Sequence, residues 1–320
     1  MDESNRIRPA RFDKAVVTIG DTAAQFKVVN PFGRQQAKVR IEALLVPSRY
    51  DDPSGITMAG PEENGMSIAR AAEGVSGDFA NVETPEMPFS QALRYTAGNV
   101  SGSRTGSWCE LRRAFDETIS LVGKTGLGLW VNGDGKGEVL NVQFVSPTHI
   151  SHGIADHYIP IDFVGWRYFM LVEPEGERFA QFTWPYGNPY AIYREYPDVK
   201  TISMLSLWYN NLPVHDSVEC LISPVRALPL CETPVRNPVL SVKGSTVSFD
   251  ATIPTGGYLE SDEAGNAIVY GPDGDEICRA GSVEDEFLVD SGAHEVSISA
   301  DSGETARARV TVGFSGDPIS

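Results

Sequence analysis

The chain is expected to be all-β, built of β-sandwiches in series. Gly 31 and Pro 21 punctuate a sequence rich in Val, Ile, Thr, Tyr and Phe, which favours short strands joined by turns. Apolar and polar residues alternate with period two along its apolar runs, as half-buried strands require. Helix-forming stretches are almost absent, the best lying around Arg70 and Ala71. At 320 residues the chain exceeds the usual domain of about 100–200 residues, so two or three units are expected.

Taken in order, residues 12–47 hold the strand-like runs FDKAVVTIG, AQFKVVN and, after the turn PFGRQ, AKVRIEALLVP. They predict an N-terminal strand segment over 1–60, a partial sandwich. Three strands leave one face bare, to be covered by the next domain or by residues preceding the chain. Ser48 to Met87, with DDPSG, GPEENG and EGVSGD, carries few apolar residues and reads as connecting loops. The next unit is placed at 61–232, where strands recur from Gln91 to Leu230. Sixteen of the thirty aromatic residues fall between Trp130 and Tyr209, so this stretch holds either a large core or an aromatic surface. Over 233–320 come the short runs VLSVKG, TVSFDATI, GGYLES, AIVYGPDGDEICRA, EFLVDSGAHEVSISA and ARARVTVGF, with GPDGDE and DSGAHE as hairpin turns. About seven short strands suit an immunoglobulin-like sandwich, of the disulfide-free kind because no Cys…Trp…Cys pattern occurs.

A net charge of −17 opposes nucleic acid and anionic membrane surfaces as partners. From residue 233 onward fifteen acidic residues face five basic ones, which reads as a solvated surface. No apolar run is long enough for membrane insertion, and MDESNRIRPARF lacks the apolar stretch of a secretory signal. The chain opens in what reads as the middle of a domain, so the expectation is a fragment of a larger secreted or cell-surface protein. Cys109, Cys220, Cys231 and Cys278 form no CxxC pair and no metal-ligand spacing with the histidines, which favours buried free thiols and leaves a Cys220–Cys231 bridge open.

Alternation assigns faces within the central region. In TGLGLWVNGDG, Leu127, Leu129 and Val131 point one way and Trp130 the other; in GEVLNVQF, Leu140, Val142 and Phe144 oppose Asn141 and Gln143. Joined by the GDGKG turn, the two runs read as a hairpin with one aliphatic face and one carrying Trp130, Asn141 and Gln143. ISMLSLWYNNLP adds Trp208 and Asn210 to that second face. Rings that pack on the C–H face of a pyranose, beside amides that bond its hydroxyls, make a saccharide site. FTWPYGNPYAIYREYP supplies Trp184, Tyr186 and Tyr190 on a proline-rich loop as further contacts. The opposing reading has the loop fold its rings onto the sheet, or a neighbouring domain cover Trp130 and Trp208.

Other chemistry lacks its motif. GDGKGE offers Asn132, Asp134 and Glu138 as oxygen donors but is no EF-hand, and GKTGLG is no phosphate loop. His149, His152 and His157 cluster without a ligand pattern and read as surface histidines; no GxSxG occurs. A glycosidase carboxylate pair is recognisable only in space.

The runs GLGLWVNGDGKGEVLNVQF, IPIDFVGWRYFML, LSLWYNNLP and ECLISPVRALP resemble, in this order, the galactose-binding-like jelly-roll superfamily, over roughly Gln91 to Leu230. The resemblance implies a jelly-roll β-sandwich flanked by immunoglobulin-like elements, and non-catalytic binding of an oligo- or polysaccharide on a concave sheet face or at a loop end. It also implies Trp166 of the DFxGW run as a core residue and a structural calcium whose ligands cannot be assigned. Two other classes stay open. One is an assembly protein whose aromatic face docks other domains of the same polypeptide or a partner subunit; the other is a polysaccharide lyase or glycoside hydrolase.

Overall fold

The computed structural model describes residues 8–62, 65–147, 154–172, 184–187, 197–262, 265–283, 287–301 and 305–317. Every regular element among them is a strand. The chain opens with β1 (Ala10–Ile19), β2 (Ala24–Asn30), β3 (Gln35–Gln36), β4 (Lys38–Leu44) and β5 (Val46–Pro47). Then follow β6 (Ile56–Ala59), β7 (Met66–Ala71), β8 (Val75–Glu83), β9 (Gln91–Asn99), β10 (Trp108–Ile119) and β11 (Gly126–Asp134). Next come β12 (Val139–Val145), β13 (Ile154–Pro160), β14 (Val164–Val172), β15 (Ile202–Asn210), β16 (Asp216–Ile222) and β17 (Val225–Leu228). The last are β18 (Leu230–Cys231), β19 (Val235–Arg236), β20 (Val239–Val242), β21 (Ser245–Asp250), β22 (Thr252–Ile253) and β23 (Tyr258–Ser261). β24 (Ala267–Tyr270), β25 (Glu276–Val283), β26 (Leu288–Val289), β27 (Gly292–Ser299) and β28 (Ala306–Ser315) complete the set.

Two compact units result, one made of residues 1–46 with 231–320 and the other of 47–230. The first is a ten-stranded sheet in the order β1-β28-β4-β23-β24-β25-β21-β20-β27-β2. Its two halves share one core through β25, which pairs with β24 along part of its length and with β21 at its end. This corrects the expected partition at 60 and 232 and the expectation of an immunoglobulin-like sandwich confined to 233–320. The N-terminal strands, expected as a partial sandwich, find their partners in the C-terminal region. β1 and β4 flank β28, and β2 pairs with β27, so the two ends of the chain build one sandwich.

The second unit is a jelly-roll β-sandwich. A five-stranded sheet, β13-β12-β15-β10-β7, shares a core with a larger sheet, β6-β17-β11-β16-β9-β8, to which β14 adds by pairing with β11. The strands meet where alternation places their apolar faces: Leu127, Leu129 and Val131 from one sheet, Leu140, Val142, Phe144, Leu205 and Leu207 from the other. Leu207 is fully buried, and Leu207→Ala is expected to destabilise this unit by about 2–5 kcal/mol in denaturant unfolding, the range for truncating a core leucine.

The GDGKG turn does not close a hairpin within one sheet. β11 pairs with β14, β16 and β17, whereas β12 pairs with β13 and β15. The aliphatic faces of β11 and β12 therefore enter the core from opposite sides. The chain crosses between sheets at Gly135 (φ 77°) and Gly137 (φ 79°), in the left-handed region that favours glycine. The segment 48–87, expected as loops, contains β6, β7 and β8; β7 and β8 are edge strands, which form with few apolar residues because water solvates much of them. All four cysteines are free thiols, Cys109 and Cys220 buried, Cys231 and Cys278 exposed.

Candidate functional site

The face of the five-stranded sheet turned away from the core carries a polar and aromatic lattice that strand register brings together. In one transverse row Tyr158, Asn141, Trp208, Glu110 and Arg70 stand opposite one another on β13, β12, β15, β10 and β7. Two residues along, the next row is Asp156, Gln143, Ser206, Arg112 and Ser67. On the other side of the first row, Asn210 faces Trp108. Period two fixes this arrangement: Leu140, Val142, Leu207, Cys109 and Leu111 occupy the intervening positions and enter the core.

A cavity of about 260 Å³ opens on this face. Asn141, Gln143, Asp156 and Asn210 supply its polar surface, and Trp108, Tyr158, Trp184 and Trp208, with Ile154 and Arg70, its walls. Asp156 is buried, and its Oδ1 accepts bonds from Asn141 Nδ2 at 2.7 Å and Gln143 Nε2 at 2.6 Å. Its Oδ2 accepts from Tyr158 Oη at 3.0 Å. The amide oxygens are also engaged, Asn141 Oδ1 by the His157 backbone N–H at 3.0 Å and Gln143 Oε1 by Trp208 Nε1 at 3.1 Å. The floor is thus a closed network that fixes each amide's orientation.

Beside it Glu110, 1% exposed, accepts four bonds. Arg70 Nε and Arg112 Nη2 donate to Oε2 at 2.7 and 2.8 Å, and Arg112 Nε and Ser206 Oγ to Oε1 at 2.9 and 2.7 Å. Burial raises this carboxyl, but the bonds from Arg112, Arg70 and Ser206 outweigh it and hold the group below the usual carboxylate value. The ionised Glu110 orients the Arg70 guanidinium, which lies 4.9 Å from the Trp208 ring centroid and 5.9 Å from that of Trp108. The two indoles are 5.6 Å apart.

Of the expected site residues, Asn141, Gln143, Trp184, Trp208 and Asn210 converge on this cavity. Trp184 lies against the sheet, 7% exposed and 5.0 Å from Tyr158, as a wall of the cavity, while most of the proline-rich segment lies outside the described residues. Trp130 does not join them. It lies on β11, in the other sheet, 5.2 Å from Tyr168, because the turn after it changes sheets. Tyr186 is exposed outside the cavity, its ring under the Arg104 guanidinium at 3.7 Å. Tyr190, His149 and His152 lie outside the described residues. His157 is buried, not at the surface, with Nδ1 2.8 Å from the Val142 carbonyl oxygen. Trp166, expected in the core, is half-buried on the outer face of the larger sheet against Phe89. Arg70, Trp108, Glu110, Asp156 and Tyr158 were not anticipated; the alternation of Trp108, Glu110 and Arg112 with Cys109 and Leu111 was the signal that could have found two of them.

Two oxygen donors of the GDGKGE turn, Asp134 and Glu138, face one another. Asp134 accepts the backbone N–H groups of Lys136 and Glu219, at 3.0 and 2.9 Å. Glu138 is fully buried, and that burial, together with repulsion from Asp134, pushes its carboxyl up to about 8. Among the described residues no group of three or more His, Cys, Asp or Glu side chains is arranged to hold a metal ion.

No family model matches the chain, and no curated protein matches it in sequence. Several solved structures align with it weakly. The family 11 carbohydrate-binding module of the cellulosomal cellulase Lic26A-Cel5E of Clostridium thermocellum gives a TM-score of 0.36 at 9% identity, over 54% of this chain and 93% of that one. A family 30 carbohydrate-binding module gives 0.32 at 12% identity, over 60% and 87%. An exo-β-agarase gives 0.38 at 11% identity, over 54% and 25%.

Proposed function

We propose that residues 47–230 form a module that binds a saccharide in the cavity on the five-stranded sheet without transforming it, as part of a larger secreted or surface protein that acts on glycans. The observation that carries this reading is the convergence of three indoles and a phenol with three amides in one cavity. Apolar rings for the C–H faces of a sugar stand beside oriented groups for its hydroxyls. At about 260 Å³ the cavity falls just below the range of about 300–1,000 Å³ usual for small-molecule sites, a scale that suits one sugar residue or a chain end. The carboxylates favour binding over hydrolysis. Glu110 is ionised and held by two arginines, so it is not poised to deliver a proton to a leaving group, and both oxygens of Asp156 are occupied by side-chain donors.

All five tryptophans lie in this unit, and three of them line the cavity, so intrinsic fluorescence reads occupancy directly. In titrations with a panel of oligosaccharides, Trp208→Ala and Trp184→Ala are each expected to weaken binding at least tenfold, about 1.4 kcal/mol, while Trp130→Ala binds as wild type. Loss of binding on Trp130→Ala with retention on Trp208→Ala would move the site to the other sheet. Failure of every saccharide to bind would leave the aromatic face to protein docking.

A further inference from the structure

Resting on that reading, we infer that the cavity selects a saccharide bearing an anionic substituent, a carboxylate or a sulfate ester, which Arg70 receives. Most acceptors are already engaged: Glu110 takes four bonds, Asn141 Oδ1 and Gln143 Oε1 one each, and Asp156 three. The donors are not. Arg70 spends only Nε on Glu110, and its two terminal nitrogens meet no acceptor among the described residues, although the side chain lies at the cavity wall. Asn210, 6% exposed, lines the cavity with no side-chain hydrogen bond among the described residues.

A neutral sugar presents hydroxyls, each of which donates as well as accepts, and so needs protein acceptors as much as donors. A carboxylate or sulfate only accepts. The donors left over beyond a neutral amide are the two terminal nitrogens of Arg70, and this charged edge matches an anionic group better than a ring of hydroxyls, fitting it with two parallel bonds. The orientation is prepared before ligand arrives, since Glu110 is buried and Arg70 is held between that carboxylate and the indoles of Trp208 and Trp108. The chain's net charge of −17 opposes an acidic polymer at long range, but beyond about 8 Å that repulsion is screened at physiological salt, whereas Arg70 acts in contact.

The test titrates the whole protein with four ligands: an oligouronate, its methyl ester, a sulfated galactan oligosaccharide and the same oligosaccharide desulfated, which is neutral. Wild type is expected to bind the oligouronate, the sulfated ligand or both, at least tenfold more tightly than the neutral one. If the uronate is the ligand, methyl esterification abolishes that advantage; if the sulfate ester is, desulfation does. Arg70→Met is expected to lose it about 10–100-fold and Arg70→Lys to recover part, as expected for a charge-assisted bond worth about 1.5–3 kcal/mol. Equal binding of neutral and anionic ligands, or full binding by Arg70→Met, overturns the inference while the saccharide reading stands; no binding to any of the four overturns both. The esterification and desulfation arms need no variant, so they decide even if Arg70→Met fails to fold.

Discussion

A fragment comprising residues 233–320 is expected not to fold by itself, and a chain lacking residues 1–46 is expected to lose the structure of its C-terminal region. The reason lies in strand order. Without the N-terminal segment β28 loses both neighbours, β1 and β4, and β27 loses β2. β4 stands between β28 and β23, so its removal divides the sheet instead of trimming its edge. Ile19, Val28, Val39 and Ile41, each at most 1% exposed, leave the core at the same time. At about 1.5–3 kcal/mol for each buried side chain of this size, these four alone approach the 5–15 kcal/mol that stabilises a typical domain. Circular dichroism should show no cooperative melt for 233–320, and its amide proton resonances should be poorly dispersed. A peptide spanning 8–46, added in excess, should restore both. A cooperative melt of 233–320 alone would show that the C-terminal strands suffice.

That interleaving marks the limit of what strand patterns tell. Alternation in FDKAVVTIG or ARARVTVGF identifies which side chains enter a core, yet says nothing about which strand 300 residues away completes the sheet, because pairing depends on long-range register. The same limit divides the candidate site. Asn141, Gln143, Trp208 and Asn210 were legible since β12 and β15 are neighbours and their outward residues share a face. Alternation places Trp130 on the correct side of its own strand, but the glycine turn after it carries the chain to the opposite sheet instead of closing a hairpin, so Trp130 and Asn141 lie on different sheets. Arg70 was hidden for a different reason. An edge strand such as β7 needs little apolar sequence, so MSIARA resembled a loop, and the functional group it delivers lay in a stretch with no core signature.

The unit holding the tryptophans is expected to lose stability as pH rises from about 5 to 9, and Glu138→Gln to remove much of that loss. Glu138 is fully buried on the strand side of the GDGKG turn. Facing it are the carboxylate of Asp134, the Cys220 thiol with Sγ 3.9 Å from Oε1, and Tyr209, with Arg104 the cation that partly offsets them. Burial first, then the charge of Asp134, lift the carboxyl from 4.5 to about 8, so it is neutral in the folded protein at pH 7. In the unfolded chain it ionises near its ordinary value. Between the two the unfolded state binds fewer protons, and stability therefore falls as pH increases; the contribution is complete below about 4.5 and lost once pH passes about 8. A displacement of this size corresponds to on the order of 4 kcal/mol, or roughly 10 °C in melting temperature for a domain of this length. Glutamine keeps the shape of the neutral acid and cannot ionise, so the two proteins should melt alike at pH 5 and diverge steadily toward pH 9, with the variant the more stable. The measurement is thermal unfolding followed by tryptophan fluorescence, which reports on this unit alone. Parallel curves across the range would mean that Glu138 is already ionised in the folded protein, its charge compensated by Arg104.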